Sequence, residues 1–208
     1  MEKILNKSDT ISYNNEKIIA NILHDIKSPL FSIKMGLSNK IDNELNKDVF
    51  ETVLDIIEYI DNFLIIYNFK TGKFERKISK CDIKKIVNKK IEDNKNLFIN
   101  KKINIDMILD ENPCVINNIE IFVSSIIGNI ISNIALHASN NKPCSVEIYK
   151  KSNSICLEFK NFYDEISCNF KMGLGFCHNL AKISKIDFKF NKTQDLFCVN
   201  LKIPDLKN

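Results

Sequence analysis

The sequence predicts an α+β protein in two parts: an antiparallel helical hairpin that forms a dimeric four-helix bundle, followed by a compact α/β sandwich. Apolar residues repeat at helical spacing along two long stretches of the first third, and after Gly72 the pattern changes to short strands and amphipathic helices. With 208 residues, 24.0 kDa and 44% apolar side chains, the chain can bury a sizeable core. We divide it into a leader (1–15), a hairpin (16–76) and a sandwich (77–208).

The hairpin consists of predicted helices at 16–40 and 47–70, which are separated by the polar stretch 38–46. Each helix carries one apolar stripe at three- and four-residue steps. The stripes are Ile19, Ile22, Leu23, Ile26, Leu30, Ile33 and Leu37 on the first helix, and Phe50, Val53, Ile57, Ile60, Leu64 and Tyr67 on the second. Gly72 supplies a helix stop. Because one hairpin cannot cover both stripes, we expect two copies to pair into a bundle.

The sandwich begins near Lys77. Asp82 is a candidate N-cap for a helix from Ile83 to about Asn96. Further elements are predicted as a strand at 101–109, a hairpin of 144–150 and 154–161 around 151–153, a helix from Leu174 to Ile186, and closing strands at 186–191 and 196–204.

Residues 121–141 carry no charge, yet their polar residues are ordered. Ser125, Asn129, Asn133 and His137 recur at four-residue spacing, which lines them along one side of a helix. Asparagines in the middle of a span would be costly in lipid but suit the wall of a polar site. We therefore predict a buried amphipathic helix and no membrane insertion.

Composition excludes several partners and sites. Arg76 is the only arginine beside many lysines, so we do not expect nucleic acid to be the main partner. The N-terminus lacks the apolar stretch of a secretion signal, which favours a cytoplasmic location. The seven cysteines form no C-x-x-C pair and are expected to be reduced thiols; they are Cys81, Cys114, Cys144, Cys156, Cys168, Cys177 and Cys198.

The sharpest local pattern is His24-Asp25-x-x-x-Pro29-Leu30 in the first helix. His24 lies about 145° from the centre of the apolar stripe and should face solvent. A neighbouring carboxylate can accept the ring proton of an imidazole and leave the other nitrogen nucleophilic. Phe31 and Met35 share that side of the helix and would form an apolar docking patch.

This pattern resembles the H-box of sensor histidine kinases, whose hairpin dimerises, takes phosphate from ATP on its histidine and passes it to a response-regulator receiver aspartate. The resemblance implies that His24 is the phosphoacceptor and Asp25 the assisting base. Ser28 falls where the family often places a threonine or asparagine that orients water for dephosphorylation of the regulator.

Two further boxes follow in the family's order. Asn129-x-x-x-Asn133 resembles the N-box, in which the first asparagine helps hold Mg²⁺ and the second contacts nucleotide phosphates. Gly173-Leu174-Gly175-Phe176 is similar to the second glycine box. The resemblance thus extends from about residue 16 to residue 204 and implies a GHKL-type sandwich after the hairpin.

The sequence also departs from the family. Leu136 stands where the N-box has lysine, and Asn161 replaces the aspartate that reads the adenine amino group. Tyr163 and Glu165 replace both glycines of the first glycine box, where glycine permits close backbone approach. Only residues 167–172 remain where the family has a mobile lid. We interpret the sandwich as a degenerate ATP-binding domain.

Three functions follow from these patterns. The first is a histidine phosphotransferase on a kinase skeleton, which exchanges phosphate between His24 and receiver aspartates as a homodimer and needs no cofactor. The second is an ATP-dependent histidine kinase, with Mg-ATP held by Asn129 and Asn133. The third is a non-catalytic adaptor or inhibitor of a two-component pathway. His137 and His178 are assigned no catalytic role.

Overall fold

A computed structural model describes residues 23, 26–28, 30–36, 44–72, 77–163 and 171–206. The chain divides into an N-terminal unit, residues 1–75, and a C-terminal unit, residues 76–208. The N-terminal unit contains helical residues 26–28 and 30–36, which we call α1, and helix α2, Glu44–Lys70. Helix α2 begins three residues before its predicted start.

Helix α2 ends as its sequence predicts. The main-chain N–H and the hydroxyl of Thr71 both donate to the carbonyl of Tyr67, each at 2.9 Å. Gly72 follows with a φ of 70°, a left-handed conformation that costs glycine little. The glycine stop is therefore confirmed.

The two predicted apolar stripes differ in burial within this single chain. On α2, Phe50, Val53, Ile60 and Tyr67 are buried, whereas Ile57 and Leu64 are half-buried. On the first helix, Leu23 and Leu30 are half-buried, but Ile26 and Ile33 are 42% and 46% exposed. The dimeric bundle stays a prediction, because the structure contains one chain.

The C-terminal unit has the α+β architecture that the sequence predicts. Its elements are β1 Ser79–Asp82, α3 Ile83–Asp93, α4 Lys95–Asn100, β2 Ile105–Leu109, β3 Val115–Asn118, α5 Glu120–His137, β4 Cys144–Lys151, β5 Ser154–Phe162, α6 Lys171–Ile183, β6 Asp187–Lys192 and β7 Leu196–Pro204. The five-stranded sheet has the order β2-β4-β5-β7-β6 and is mixed, since β2 runs parallel to β4 and the other pairs are antiparallel. Strands β1 and β3 form a separate two-stranded sheet.

Helix α5 is the centre of the core. It packs between α3 and α6, and its residues Phe122, Ile126 and Ile130 are essentially inaccessible to solvent. Alternate residues of the central strands, such as Leu157 and Phe159 of β5, are equally buried. Each such side chain contributes about 1.5–3 kcal/mol by leaving water, so α5 is held firmly on the unit.

The buried-helix interpretation of residues 121–141 is confirmed. Within the described residues, Glu120–His137 is the one helix that is long and apolar enough to cross a membrane, with 56% of that window buried. A core helix of a globular unit meets the same criteria, and the burial of α5 against its neighbours accounts for its composition.

One local prediction near the start of this unit needs correction. The helix that was expected from Ile83 to about Asn96 is broken at Asn94, whose φ is −109° and whose side-chain nitrogen donates to the carbonyl of Lys90 at 2.9 Å. A second short helix then runs to Asn100. The predicted N-cap is confirmed, because a carboxylate oxygen of Asp82 accepts from the main-chain N–H of Lys85 at 3.2 Å.

Candidate functional site

The H-box pattern is only partly visible. His24, Asp25 and Pro29 lie outside the described residues. Ser28 is helical and exposed, and its carbonyl accepts a hydrogen bond from the hydroxyl of Ser32 at 3.3 Å. Ser28 therefore presents its side chain to solvent, as its predicted role requires.

The predicted docking patch is exposed. Phe31 is 50% and Met35 56% accessible, and both lie on α1. The ammonium of Lys34 sits 5.7 Å from the centre of the Phe31 ring, close enough for a cation–π interaction. This part of α1 thus offers apolar surface with a positive charge beside it.

An ion pair that the sequence analysis did not identify crosses from α1 to α2. The ammonium of Lys27 bonds a carboxylate oxygen of Asp61. Lys27 lies inside the H-box pattern, three residues after His24. The sequence signal was present as opposite charges on two predicted neighbouring helices, but their pairing depends on the register of the hairpin.

The N-box asparagines lie on the middle turns of α5. Asn129 is 6% exposed, and its side-chain nitrogen donates to the carbonyl of Ser125 at 3.0 Å. The side-chain nitrogen of Asn129 is therefore hydrogen-bonded within the helix. Its amide oxygen is a ligand atom of the type that Mg²⁺ prefers. The side-chain nitrogen of Asn133 is buried and has no hydrogen-bond partner among the described residues.

An unpaired buried donor is unusual, because leaving one unsatisfied costs about 1–3 kcal/mol. A phosphate oxygen could accept from the amide of Asn133, so Asn133 and Asn129 are the described residues that could hold a phosphate and Mg²⁺. No group of three or more His, Cys, Asp or Glu side chains that could hold a metal by themselves occurs in the described part of the chain.

The end of β5 meets the end of α5. Ala138 and Tyr163 form an isolated antiparallel bridge, and the main-chain N–H of Ser139 donates to the carbonyl of Phe162 at 2.9 Å. Asn161, 1% exposed, lies one residue before the end of β5, and its side-chain nitrogen donates to the carbonyl of Phe162 at 3.2 Å. The helix with the N-box and the strand with Asn161 are therefore joined at one corner.

Tyr163, at the first-glycine position, is directed to the β6–β7 turn. Its hydroxyl donates to the carbonyl of Thr193, its main-chain N–H donates to the carbonyl of Asp195 at 3.1 Å, and the ammonium of Lys192 lies 4.6 Å from the ring centre. The side chain is 4% exposed, so this turn accommodates its bulk. Asp164 and Glu165 lie outside the described residues.

The second glycine box lies within the first turns of α6, not before the helix. Gly173 and Gly175 both have helical backbone, because α6 begins at Lys171 and not at the predicted Leu174. A Cβ atom built on Gly175 would meet nothing within 4 Å. The backbone of α6 at Gly175 is thus open to close approach.

The last turn of α5 carries a half-buried imidazole and a lysine from another segment. Burial, and next the positive charge of Lys101, lower the pKa of His137. The ammonium of Lys101 donates to the carbonyl of Leu136. Sequence analysis did not identify Lys101, since nothing in the local pattern of 101–104 relates it to α5.

The described cysteines are free thiols, and Cys81, Cys114, Cys144, Cys156 and Cys177 are buried. Burial raises the pKa of Cys144 to about 12, with Asp106 adding to the shift. Such thiols are poor nucleophiles at neutral pH. Cys168 lies outside the described residues.

No family model matches the chain. A curated relative, the sensor protein KdpD of Clostridium acetobutylicum, is 21% identical over an alignment of 162 residues, and the match covers 71% of this chain and 18% of that protein. The chain therefore matches less than a fifth of this relative's length.

Solved structures are similar in fold. Histidine kinase AdeS of Acinetobacter baumannii superposes with a TM-score of 0.60 and 13% identity over 86% of this chain and 95% of its own. The cytoplasmic segment of histidine kinase QseC gives 0.57 with 10% identity over 72% and 95%, and the catalytic domain of histidine kinase ThkA gives 0.55 with 8% identity over 62% and 97%. The chain has the fold of histidine-kinase catalytic domains.

Proposed function

We propose that this chain is a two-component signalling protein that carries a phosphoryl group on His24 and exchanges it with receiver aspartates. The observation that carries the proposal is the His24-Asp25-x-x-x-Pro29-Leu30 pattern in the sequence ahead of a unit with the fold of histidine-kinase catalytic domains. Exposure of Ser28, Phe31 and Met35 on α1 supports it.

The chemistry is a reversible phosphoryl exchange. The Nε2 atom of His24 attacks the phosphorus of a receiver aspartyl phosphate, so that a P–N bond forms while the acyl phosphate P–O bond breaks and the aspartate leaves as carboxylate. Asp25 accepts a hydrogen bond from the other ring nitrogen and keeps Nε2 nucleophilic. The reverse reaction delivers the group to a second receiver. Receivers dock on the apolar surface of Phe31 and Met35.

We propose a homodimer as the working form. Ile26 and Ile33 on α1 are exposed and seven residues apart, and so are Val49 and Ile56 on α2, at 41% and 37% exposure. Apolar residues at this spacing form the seam of helical bundles. A second copy of the chain supplies the same spacing on its own helices and would cover these side chains.

Exchange among receivers needs no nucleotide, and two features of the C-terminal unit support this version. Leu136 is 4% exposed and offers no cation where the N-box has lysine. Asn161 is neutral where the family has an aspartate, and its side-chain nitrogen already donates a hydrogen bond to the adjacent carbonyl of Phe162.

A second candidate is the ATP-dependent kinase. The buried side-chain nitrogen of Asn133, which has no partner within the described part of the chain, favours it, as does the amide of Asn129, because together they suit a phosphate oxygen and Mg²⁺. When bound, Mg-ATP would supply the phosphoryl group for His24. Asn129 would hold the metal, Asn133 would orient the phosphates, and the open backbone at Gly175 would allow their close approach.

The test offers two phosphoryl donors to the same protein. A receiver labelled on its aspartate is expected to transfer label to the wild type and to His178→Ala, which alters an exposed histidine of α6, but not to His24→Ala. Label on the His24→Ala variant would disprove the assignment. γ-Labelled ATP then separates the candidates, since labelling from ATP supports the kinase and labelling from the receiver alone supports the phosphotransferase.

A further inference from the structure

Lys101 is fixed at the C-terminal end of the N-box helix from a different part of the chain. It follows α4, and its main-chain carbonyl accepts from the N–H of Asn141 at 3.0 Å, beyond the end of α5. Its side chain reaches back to the last turn of α5, where the ammonium donates to the carbonyl of Leu136. Lys101 is therefore anchored at both its backbone and its side chain.

The carbonyl that Lys101 contacts belongs to the residue that departs from the N-box pattern. Leu136 is buried and apolar, so residue 136 itself supplies no charge to the polar stripe of Asn129 and Asn133. A hydrogen bond to a neutral carbonyl leaves the charge of the ammonium intact. Lys101 thus brings a positive charge to the main chain of residue 136, whose own side chain carries none.

The charge of Lys101 affects the pKa of His137. Its imidazole follows Leu136 directly and lies one turn after Asn133. Its pKa is lowered by burial first and by the charge of Lys101 second. The electrostatic effect of Lys101 therefore extends to the side of the helix that carries the asparagines.

We infer that Lys101 is the cation that faces nucleotide phosphates in this unit, in place of the lysine missing at residue 136. The inference rests on the second proposed function, the binding of Mg-ATP. The phosphate oxygens would accept from the amide of Asn133 and lie in the field of Lys101. A simpler role for Lys101 is to cap the negative end of the α5 dipole, and the experiment separates the two.

The experiment compares Lys101→Met and Lys101→Arg with Lys102→Met, a matched change at the exposed neighbouring lysine. NMR titration of the His137 imidazole comes first: Lys101→Met should raise its pKa, and Lys102→Met should leave it unchanged. Calorimetry with Mg-ADP comes second. Lys101→Met should weaken binding by about tenfold, the equivalent of one charge-assisted hydrogen bond, while the other two variants bind within about twofold of the wild type.

Each other outcome contradicts the inference in a distinct way. If Lys101→Met shifts His137 and lowers the melting temperature but binds Mg-ADP like the wild type, Lys101 only caps the helix. If the wild type itself binds no Mg-ADP at millimolar concentration while the His137 shift appears as expected, the kinase proposal fails and the phosphate role of Lys101 fails with it. If His137 does not respond to Lys101→Met, the contact itself is absent.

Discussion

The ammonium of Lys27 and the carboxylate of Asp61 form an ion pair that joins α1 to α2. Lys27 lies between the residues of the H-box pattern, so the pair joins the described part of that segment to α2. The side chain of Lys27 is 36% exposed and that of Asp61 is 41% exposed. Solvent therefore screens their attraction.

We expect Asp61→Asn to lower the free energy of unfolding by less than about 1 kcal/mol, the usual range for an exposed ion pair. The effect should shrink at about 1 M NaCl, where charges are screened within about 3 Å. Urea denaturation followed by circular dichroism at low and high salt measures both. Glu92→Gln, which removes the local partner of Lys95, is the control. A large loss of unfolding free energy that does not depend on the salt concentration would mean that the ion pair is shielded from solvent in the protein.

Replacing Ile56 with aspartate should dissociate the proposed dimer, because the charge would lie unpaired in the seam between two copies. Ile56 is preferable to Ile60 for this test, since Ile60 is only 3% exposed within one chain and its replacement would also disturb the hairpin itself. Light scattering should give the mass of two chains for the wild type and of one for Ile56→Asp. The matched change Ile108→Asp, at a 58% exposed residue of β2, should leave the mass unchanged. A monomeric wild type would refute the bundle.

Replacing Asp82 with alanine should lower the free energy of unfolding by about 1 kcal/mol, because the N-cap bond to the N–H of Lys85 is lost. Asp82→Asn keeps an acceptor oxygen, so its free energy of unfolding should fall much less. Thermal and urea denaturation of the two variants give the comparison. Equal losses would show that the charge of Asp82, and not its hydrogen bond, stabilises α3.

Acid should destabilise the C-terminal unit partly through His137. Its folded-state pKa is lowered, so the unfolded chain binds the proton more readily. The stability that the neutral ring contributes is fully present above the unfolded pKa of about 6.5 and is lost as the pH falls from there through the folded pKa. Urea denaturation between pH 7.5 and 5.5 should show a smaller acid loss for His137→Gln than for the wild type.

Asn179→Gln is the control for that experiment, because residue 179 is exposed on α6 and carries no titrating group. The stability that this variant loses between the two pH values should match the loss in the wild type. Should His137→Gln show the same pH dependence as the wild type, the imidazole would be solvated in solution and the charge of Lys101 would not reach it.

Much of the fold could be predicted from local patterns. Helix α5 was recognisable because Ser125, Asn129 and Asn133 interrupt an apolar stretch at one fixed spacing, and the β4–β5 hairpin because alternating runs flank a short polar turn. The break at Asn94 was not predictable, since it depends on one side-chain bond to a carbonyl within a sequence of ordinary helical pattern. Strands β1 and β3 were missed because each has four residues and pairs only with the other, far along the chain.

The candidate site, like the fold, could be predicted from the sequence only in part. Spacing alone placed Asn129 and Asn133 on one helix face, and the structure adds that the amide nitrogen of Asn133 is buried and has no partner among the residues it describes. Lys101 could not be found from sequence, since its contact with Leu136 joins segments 35 residues apart. The direction of the Tyr163 side chain could not be predicted from the sequence either, because it depends on the position of the β6–β7 turn.

Main-chain bonds join the residues after α5 to the end of β5, because Ala138 bridges Tyr163 and the N–H of Ser139 donates to the carbonyl of Phe162. These bonds do not involve the side chains of residues 136 and 161. Exchanging those two side chains should consequently change the polar groups at this junction while the backbone contacts between helix and strand persist.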